Sequence, residues 1–139
     1  MKQFIVLAAT LPLLLVFIMQ FSADQQYRLS VAAVDDAVYA AKEMARQEGC
    51  FTPEITEWLK QEISKKLKNV EPSEVVIGKG TDTEPVYRIT AAGGTGLIHY
   101  QISVPMKNTM AGRSLLHASG EPVRWYIIDA YTPSELLPD

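Results

Sequence analysis

The sequence predicts an α+β protein. The expected order is a long N-terminal helix (transmembrane, then amphipathic), a second helix and an antiparallel sheet of about four strands. Three observations predict it. Residues 4–21 carry no charge, residues 23–48 contain neither Pro nor Gly, and after Pro72 the spacing of apolar residues falls from helical to two.

The run at 4–21 reads FIVLAATLPLLLVFIMQF. Eighteen residues at ~1.5 Å each span ~27 Å, enough to cross a hydrocarbon layer of ~30 Å. Phe4, Ile5, Leu11, Pro12, Leu13, Leu14, Leu15, Phe17 and Ile18 are its candidate anchor residues. Pro12 breaks soluble helices but is tolerated within membrane helices, where it commonly kinks the axis. Lys2 and the amino terminus favour a cytoplasmic start, which puts the head outside the cytoplasm. With Lys2 set aside, 12 basic and 16 acidic residues remain, a net of −4. A cleaved signal peptide is the alternative. Its cleavage region fits less well, because Phe21 is too large for the −3 position before Ala23, and the small residues Ser30, Val31 and Ala32 lie well past the apolar run. The chain's cysteine, Cys50, is too far from the run for lipid attachment.

Beyond the run, Tyr27, Val31, Val34, Val38, Ala41 and Ala45 recur at spacings of four and three, a heptad-like stripe. Ala33, Ala37, Ala40 and Met44 widen it, and Asp35, Asp36, Lys42, Glu43 and Arg46 take the other face. The lower half of the stripe is expected to pack on the protein's own domain and the upper half against other subunits. Gly49 ends the helix as a C′ glycine. An unbroken rod from Phe4 to Glu48 would measure ~68 Å. Three regions follow: an anchor or signal segment at 1–23, an amphipathic extension at 24–49 and an extracytoplasmic head at 50–139.

Thr52 is a natural cap for a helix over 53–69, with Pro53 at its first position and Lys65, Lys66 and Lys68 at its C-terminal end. Ile55, Trp58, Leu59, Ile63 and Leu67 mark its apolar face. Strands are expected at 74–77, 86–90, 97–104 and 123–131. Residues 93–96 form a hairpin link, 105–120 an excursion containing Met106, Met110, Leu115 and Leu116, and 132–139 a loop. Ile98, Tyr100, Ile102 and Val104 share one face of the longest strand. Trp125, Ile127 and Asp129 share one side of the last, and Trp125, Tyr126 and Trp58 read as core aromatics.

Composition narrows the function. The chain has 139 residues, is 47% hydrophobic and 21% charged, and carries a net charge of −3. That excludes a polytopic membrane protein and a disordered chain. A pI near 5.4 leaves no basic footprint for nucleic acid. One cysteine allows no internal disulfide and no thiolate zinc site. Gly93-Gly94-Thr95-Gly96 lacks the Lys-Ser/Thr and following helix of a phosphate-binding loop, and reads as a turn. His99 and His117 have no partner at metal-ligand spacing, and alternation places His99 on an exposed strand face. Cys50 has no local base or orienting group. It reads as a packed thiol in the interhelical turn, open to pairing between chains. Asp35 and Asp36 point ~100° apart on a helix and do not readily share a proton; they read as a solvated face or a salt bridge to a neighbouring subunit. The expectation is a non-enzymatic chain with no cofactor and no small-molecule substrate. An enzyme head would require convergent acids and histidines in a cleft.

The stretch Ala8-Ala9-Thr10-Leu11-Pro12-Leu13-Leu14-Leu15-Val16-Phe17 resembles the apolar segment of TadE-like minor pilins, in which Leu-Pro followed by leucines sits near the start of the membrane helix. The motif covers about twenty residues. The layout, an apolar helix with an amphipathic extension and a small α+β head, resembles type IV pilin-like (pseudopilin) subunits over the whole chain. The resemblance implies a membrane-held structural subunit of a pilus, secretion or conjugation apparatus. Its partners would be the lipid bilayer and other pilin-like subunits or assembly proteins, and it could be incorporated in a surface filament. It does not extend to prepilin-peptidase processing, since no Gly precedes Gly49 and no acidic residue lies within 4–21. The rival expectation is a secreted or tethered α+β binding module whose N-terminal segment is a signal peptide.

Overall fold

The computed structural model describes residues 1–106 and 123–137. Helix α1 runs without interruption from Lys2 to Glu48, 47 residues including Pro12, a rod of ~70 Å. Thr10 hides its hydroxyl by donating to the Val6 carbonyl at 2.9 Å. Gln20 reaches one turn ahead to the Asp24 carboxylate at 3.2 Å, where the apolar run gives way to polar sequence. Gly49 then stops the helix in the left-handed region (φ 81°), its N–H donating to Ala45 O at 2.7 Å. A Cβ at Gly49 would also lie 2.8 Å from the Val86 carbonyl, so glycine is required there twice over.

A four-residue connection leads into α2, Pro53–Lys66, and α2 folds back along α1. Its start is as expected: the Thr52 hydroxyl accepts from the Ile55 N–H at 3.3 Å, and Pro53 sits where no N–H is needed. It ends three residues before the expected Asn69, because Leu67 turns to extended backbone to enter the core. A single 3₁₀ turn, Pro72–Glu74, is closed by reciprocal capping between Glu71 and Glu74.

Three antiparallel strands follow among the described residues: β1 (Val76–Ile77), β2 (Leu97–Met106) and β3 (Arg124–Pro133), in spatial order β1-β2-β3. The β2–β3 register pairs Leu97 with Pro133 and Met106 with Arg124. Both helices cover one face of this sheet. Ile98, Tyr100, Ile102 and Val104 of β2 are buried against Val34, Ala37, Val38, Ala41 and Ala45 of α1, and against Ile55, Leu59 and Ile63 of α2. The alanines let α1 lie close to the sheet, and Phe51 plugs the turn end with its ring centroid 5.4 Å from that of Tyr100.

The expected strand at 86–90 does not form. One bridge, Ile89 to Thr95, closes the Gly-rich turn, in which Gly93 takes φ 79°. The other backbone groups of the segment are divided between that turn, where Thr90 N–H donates to Gly94 O at 2.9 Å, and distant partners. Val86 N–H donates to Gly49 O at 2.8 Å, Arg88 N–H to Leu136 O at 2.7 Å, and Arg88 O accepts from Gly96 at 3.0 Å. The Ser134 hydroxyl donates to Val86 O. The alternation at 86–90 is therefore real, but its hydrogen bonds are divided among the Gly-rich turn, the helix cap and the C-terminal tail rather than forming a strand ladder. That tail begins later than expected, because β3 continues through Tyr131, Thr132 and Pro133. Of the expected excursion, Met106 ends β2, while Met110, Leu115, Leu116 and His117 lie outside the described residues.

Trp125 corrects the expected aromatic core. Alternation correctly groups Trp125, Ile127 and Asp129 on one side, but that side faces away from the helices, leaving Trp125 50% and Ile127 56% exposed. Tyr126, Ile128 and Ala130 turn inward instead.

Candidate functional site

Two parts of the molecule carry functional interest: the helix α1 itself and a polar clamp on the outer face of the sheet. Every anchor residue expected from the sequence, from Phe4 and Ile5 through Leu11, Pro12, Leu13, Leu14, Leu15, Phe17 and Ile18, lies on the solvent-exposed first half of α1. No part of its most apolar eighteen-residue window is buried by the rest of the chain. The helix is long and apolar enough to cross a membrane, and its position near the N-terminus also suits a signal sequence.

The stripe has a different fate. Val34, Val38, Ala41 and Ala45 are buried in the head's own core, and Tyr27 and Val31 are half-buried against its lower edge. At 4% exposure Val38 is a core residue, so a polar substitution there would unfold the head rather than test contacts between subunits. Asp35 is likewise engaged within the head, accepting from the Tyr126 hydroxyl at 2.7 Å. This bond to a carboxylate, reinforced by partial burial, pushes the Tyr126 phenol up to about 12. At the far end, Arg46 joins Glu43 at 3.0 Å and Glu135 at 2.6 Å, tying the helix terminus to the C-terminal tail. Arg46 and Glu135 also line an open hollow of about 750 Å³ beside the Gly-rich turn.

Cys50 is buried at 4% exposure in the interhelical turn. Burial, followed by the charges of Glu48 and Asp82, pushes its thiol above the ordinary value. A bond to a second chain would require this turn to open first.

The clamp was not anticipated. The chain after β1 passes along the free edge of β2 and completes it with side chains. The Thr81 hydroxyl accepts from Gln101 N–H at 3.0 Å, and the Asp82 carboxylate accepts from His99 N–H at 2.8 Å. Asp82 N–H donates to His99 O at 2.9 Å. The His99 ring is thereby held between two acceptors: its Nδ1 meets the Gly80 carbonyl, and its Nε2 meets the Asp129 carboxylate at 2.5 Å. The Tyr131 ring lies against it with centroids 4.7 Å apart. The Gly80 carbonyl only accepts, as does an ionised Asp129 carboxylate, so the arrangement favours the imidazolium, in which both ring nitrogens donate. The clamp joins the 78–82 turn to β3.

Among the described residues, no three His, Cys, Asp or Glu side chains are grouped to hold a metal ion. Comparison of the chain with protein-family models, curated proteins and solved structures finds no match. The functional reading therefore rests on the geometry.

The clamp predicts a pH dependence. Asp129, then the Gly80 carbonyl, raise the His99 imidazole above its ordinary value. A raised folded-state value stabilises the fold fully below the unfolded value of about 6.5, and this contribution is lost as pH rises through the folded value. Thermal unfolding of the chain and of His99→Gln, followed from pH about 6 upward, is expected to show a gap that narrows as pH rises. A gap independent of pH would mean that the charged ring contributes nothing.

Proposed function

We propose that this chain is a non-enzymatic, single-pass membrane protein of the pilin-like (TadE-like) kind, a structural subunit of a bacterial pilus, secretion or conjugation apparatus. The observation that carries the reading is the continuity of α1. One helix of 47 residues supplies a bare apolar half and, without a break, the spine of the α+β head. The apolar half would sit in the bilayer with the N-terminus cytoplasmic, as Lys2 favours, and the head beyond the membrane. In an assembly the same surface would be covered by the helices of neighbouring subunits, through close packing around Ala8, Ala9 and Pro12. The head's inner face is already filled by its own helices, so subunit contacts fall to the first half of α1 and to the head's exterior.

The test is the intact mass of the native chain, its cell fraction and its cross-linked neighbours. A full-length mass in the membrane fraction, with cross-links from positions near Ala9 to copies of itself or to another single-pass subunit, is expected. A chain shortened to about Ala23 and released from the membrane would overturn the reading in favour of a secreted binding module. Such a cut would spare the core of the described residues, which takes in α1 from Tyr27 onward.

A further inference from the structure

Hydrogen-bond alternation leaves one edge of the sheet open. On β2, Gln101 O accepts from Gly78 N–H at 2.7 Å and His99 O from Asp82 N–H at 2.9 Å, while the N–H groups of His99 and Gln101 go to Asp82 and Thr81. His99 and Gln101 therefore face β1 and the 78–82 turn. Successive residues of a strand send their backbone groups to opposite sides. Ile98, Tyr100, Ile102 and Val104 are thus the residues that bond to β3, and their register partners are Thr132, Ala130, Ile128 and Tyr126. By the same alternation Trp125, Ile127, Asp129 and Tyr131 turn their N–H and C=O groups to the far side of β3, where the described sheet ends. Among the described residues nothing bonds to those groups. The edge also lacks the usual protection against pairing. Its pairs with β2 run without a bulge, it contains no Lys, and Pro133 stands only at its end. Asp129 is tied to His99. Trp125, Ile127 and Tyr131 are exposed along the edge, and the exposed Tyr39 lies on the side of α1 that carries Asp35 and Arg46 toward β3 and the tail.

We propose that the outer edge of β3 is a docking site for an extended segment of another protein, which adds to the sheet as a further strand. An extended backbone supplies donors and acceptors at the two-residue spacing of Trp125, Ile127, Asp129 and Tyr131. Main-chain bonds give the affinity, and apolar residues at alternate positions of the guest pack beside Ile128, Ala130 and Tyr39. A second copy of the chain does not suit. Strand β3 runs along α1 in the same direction, since Tyr126 meets Asp35 and Glu135 meets Arg46. Two identical edges paired antiparallel about a two-fold axis would point their α1 helices in opposite directions, which two anchors in one membrane do not allow. Parallel pairing about a two-fold axis sets each residue opposite itself, whereas a parallel ladder sets an open residue opposite one turned away. The choice of guest rests on the anchored reading of α1; the open edge does not.

Amide hydrogen exchange, read by NMR on the isotope-labelled full chain in detergent micelles, tests the edge. In the chain alone the N–H groups of Tyr126, Ile128, Ala130 and Thr132 are expected to exchange slowly and those of Trp125, Ile127, Asp129 and Tyr131 fast. The probe is a synthetic peptide of alternating Val and Thr with Lys at each end. At ~10 times its dissociation constant it is expected to slow the second set about tenfold. Ile127→Pro removes an outward N–H and no bond to β2, a place where an edge strand accepts proline. It is expected to abolish the slowing, and Ile127→Thr, which keeps the N–H, to retain it. Should Ile127→Pro fail to fold, the alternate protection in the unaltered chain still decides. Slow exchange of the second set before peptide is added, no slowing with it, or undiminished slowing in a folded Ile127→Pro chain overturns the proposal. The guest is tested separately, with Ile127→Cys in phosphatidylcholine–phosphatidylglycerol vesicles. Monomers under oxidation are expected, and a disulfide between copies through position 127 would overturn the choice of another protein. A chain that does not float with the vesicles removes the anchored reading and that choice with it, while the peptide result decides the edge.

Discussion

Replacing Leu13 and Leu14 together by aspartate is expected to release the chain from the membrane while leaving the head folded. A carboxylate near the middle of a spanning helix costs about 2.5–3.5 kcal/mol on an insertion scale, and each ~1.4 kcal/mol is a tenfold change in partition. The two positions are neighbours, about 100° apart around the helix, so one polar groove on a partner helix cannot shelter both. Both residues are exposed, and among the described residues the hydrophobic core takes in α1 only from Tyr27 onward. Sedimentation of membranes after an alkaline wash reads the result. A double variant that stays in the pellet would show that the run at 4–21 is not what holds the chain there.

The largest effect within the head is expected from Phe51→Ala. Phe51 is 1% exposed, stacks at a tilt against Tyr100, and lies in the turn where α1 hands over to α2. Its own backbone N–H donates to Asp82 O at 3.0 Å, so the ring is fixed at the junction of both helices and the 78–82 turn. Truncating a buried phenylalanine to alanine costs about 3–5 kcal/mol, since the cavity does not fully collapse. For a domain of this size that lowers Tm by at least about 10 °C. Thermal unfolding of the full chain in detergent, followed by circular dichroism, checks it. A fall of only a few degrees would mean that neighbouring side chains relax into the space.

The helices were legible because their signals are local. The 3–4 spacing from Tyr27 to Ala45 picked out the face of α1 that is buried from Val34 onward, and Thr52-Pro53 marked the start of α2 to the residue. Alternation through Ile98, Tyr100, Ile102 and Val104 identified the inner face of β2 for the same reason. In β3 the same rule separated two faces but could not say which was inner. Trp125 and Ile127 are the larger apolar pair, yet Tyr126, Ile128 and Ala130 pack on the helices, a choice made by register with β2. The segment at 86–90 looks like a strand by composition, but its bonds are split: Val86 and Arg88 N–H go to Gly49 and Leu136, far along the chain, and Thr90 N–H goes to Gly94 in the adjacent turn. The His99 clamp was illegible for a related reason. It needs Gly80 from a turn, and it needs Asp129 from the strand position diagonal to His99, and neither neighbour is visible in linear order.

The unbroken course of α1 through the boundary between its apolar segment and the head has a mechanical consequence. Residues 22–33 contain no Gly or Pro, so the molecule has no joint where the apolar segment meets the part held by the sheet. Orientation is transmitted along it as along a lever. From Phe21 to Glu48 the arm is ~40 Å, and a tilt of about 20°, ordinary for a spanning helix, swings its tip by roughly 14 Å. Any partner that leans on the apolar end of this rod therefore repositions the Gly-rich turn and C-terminal tail at the other end. No loop is present between them to absorb the motion.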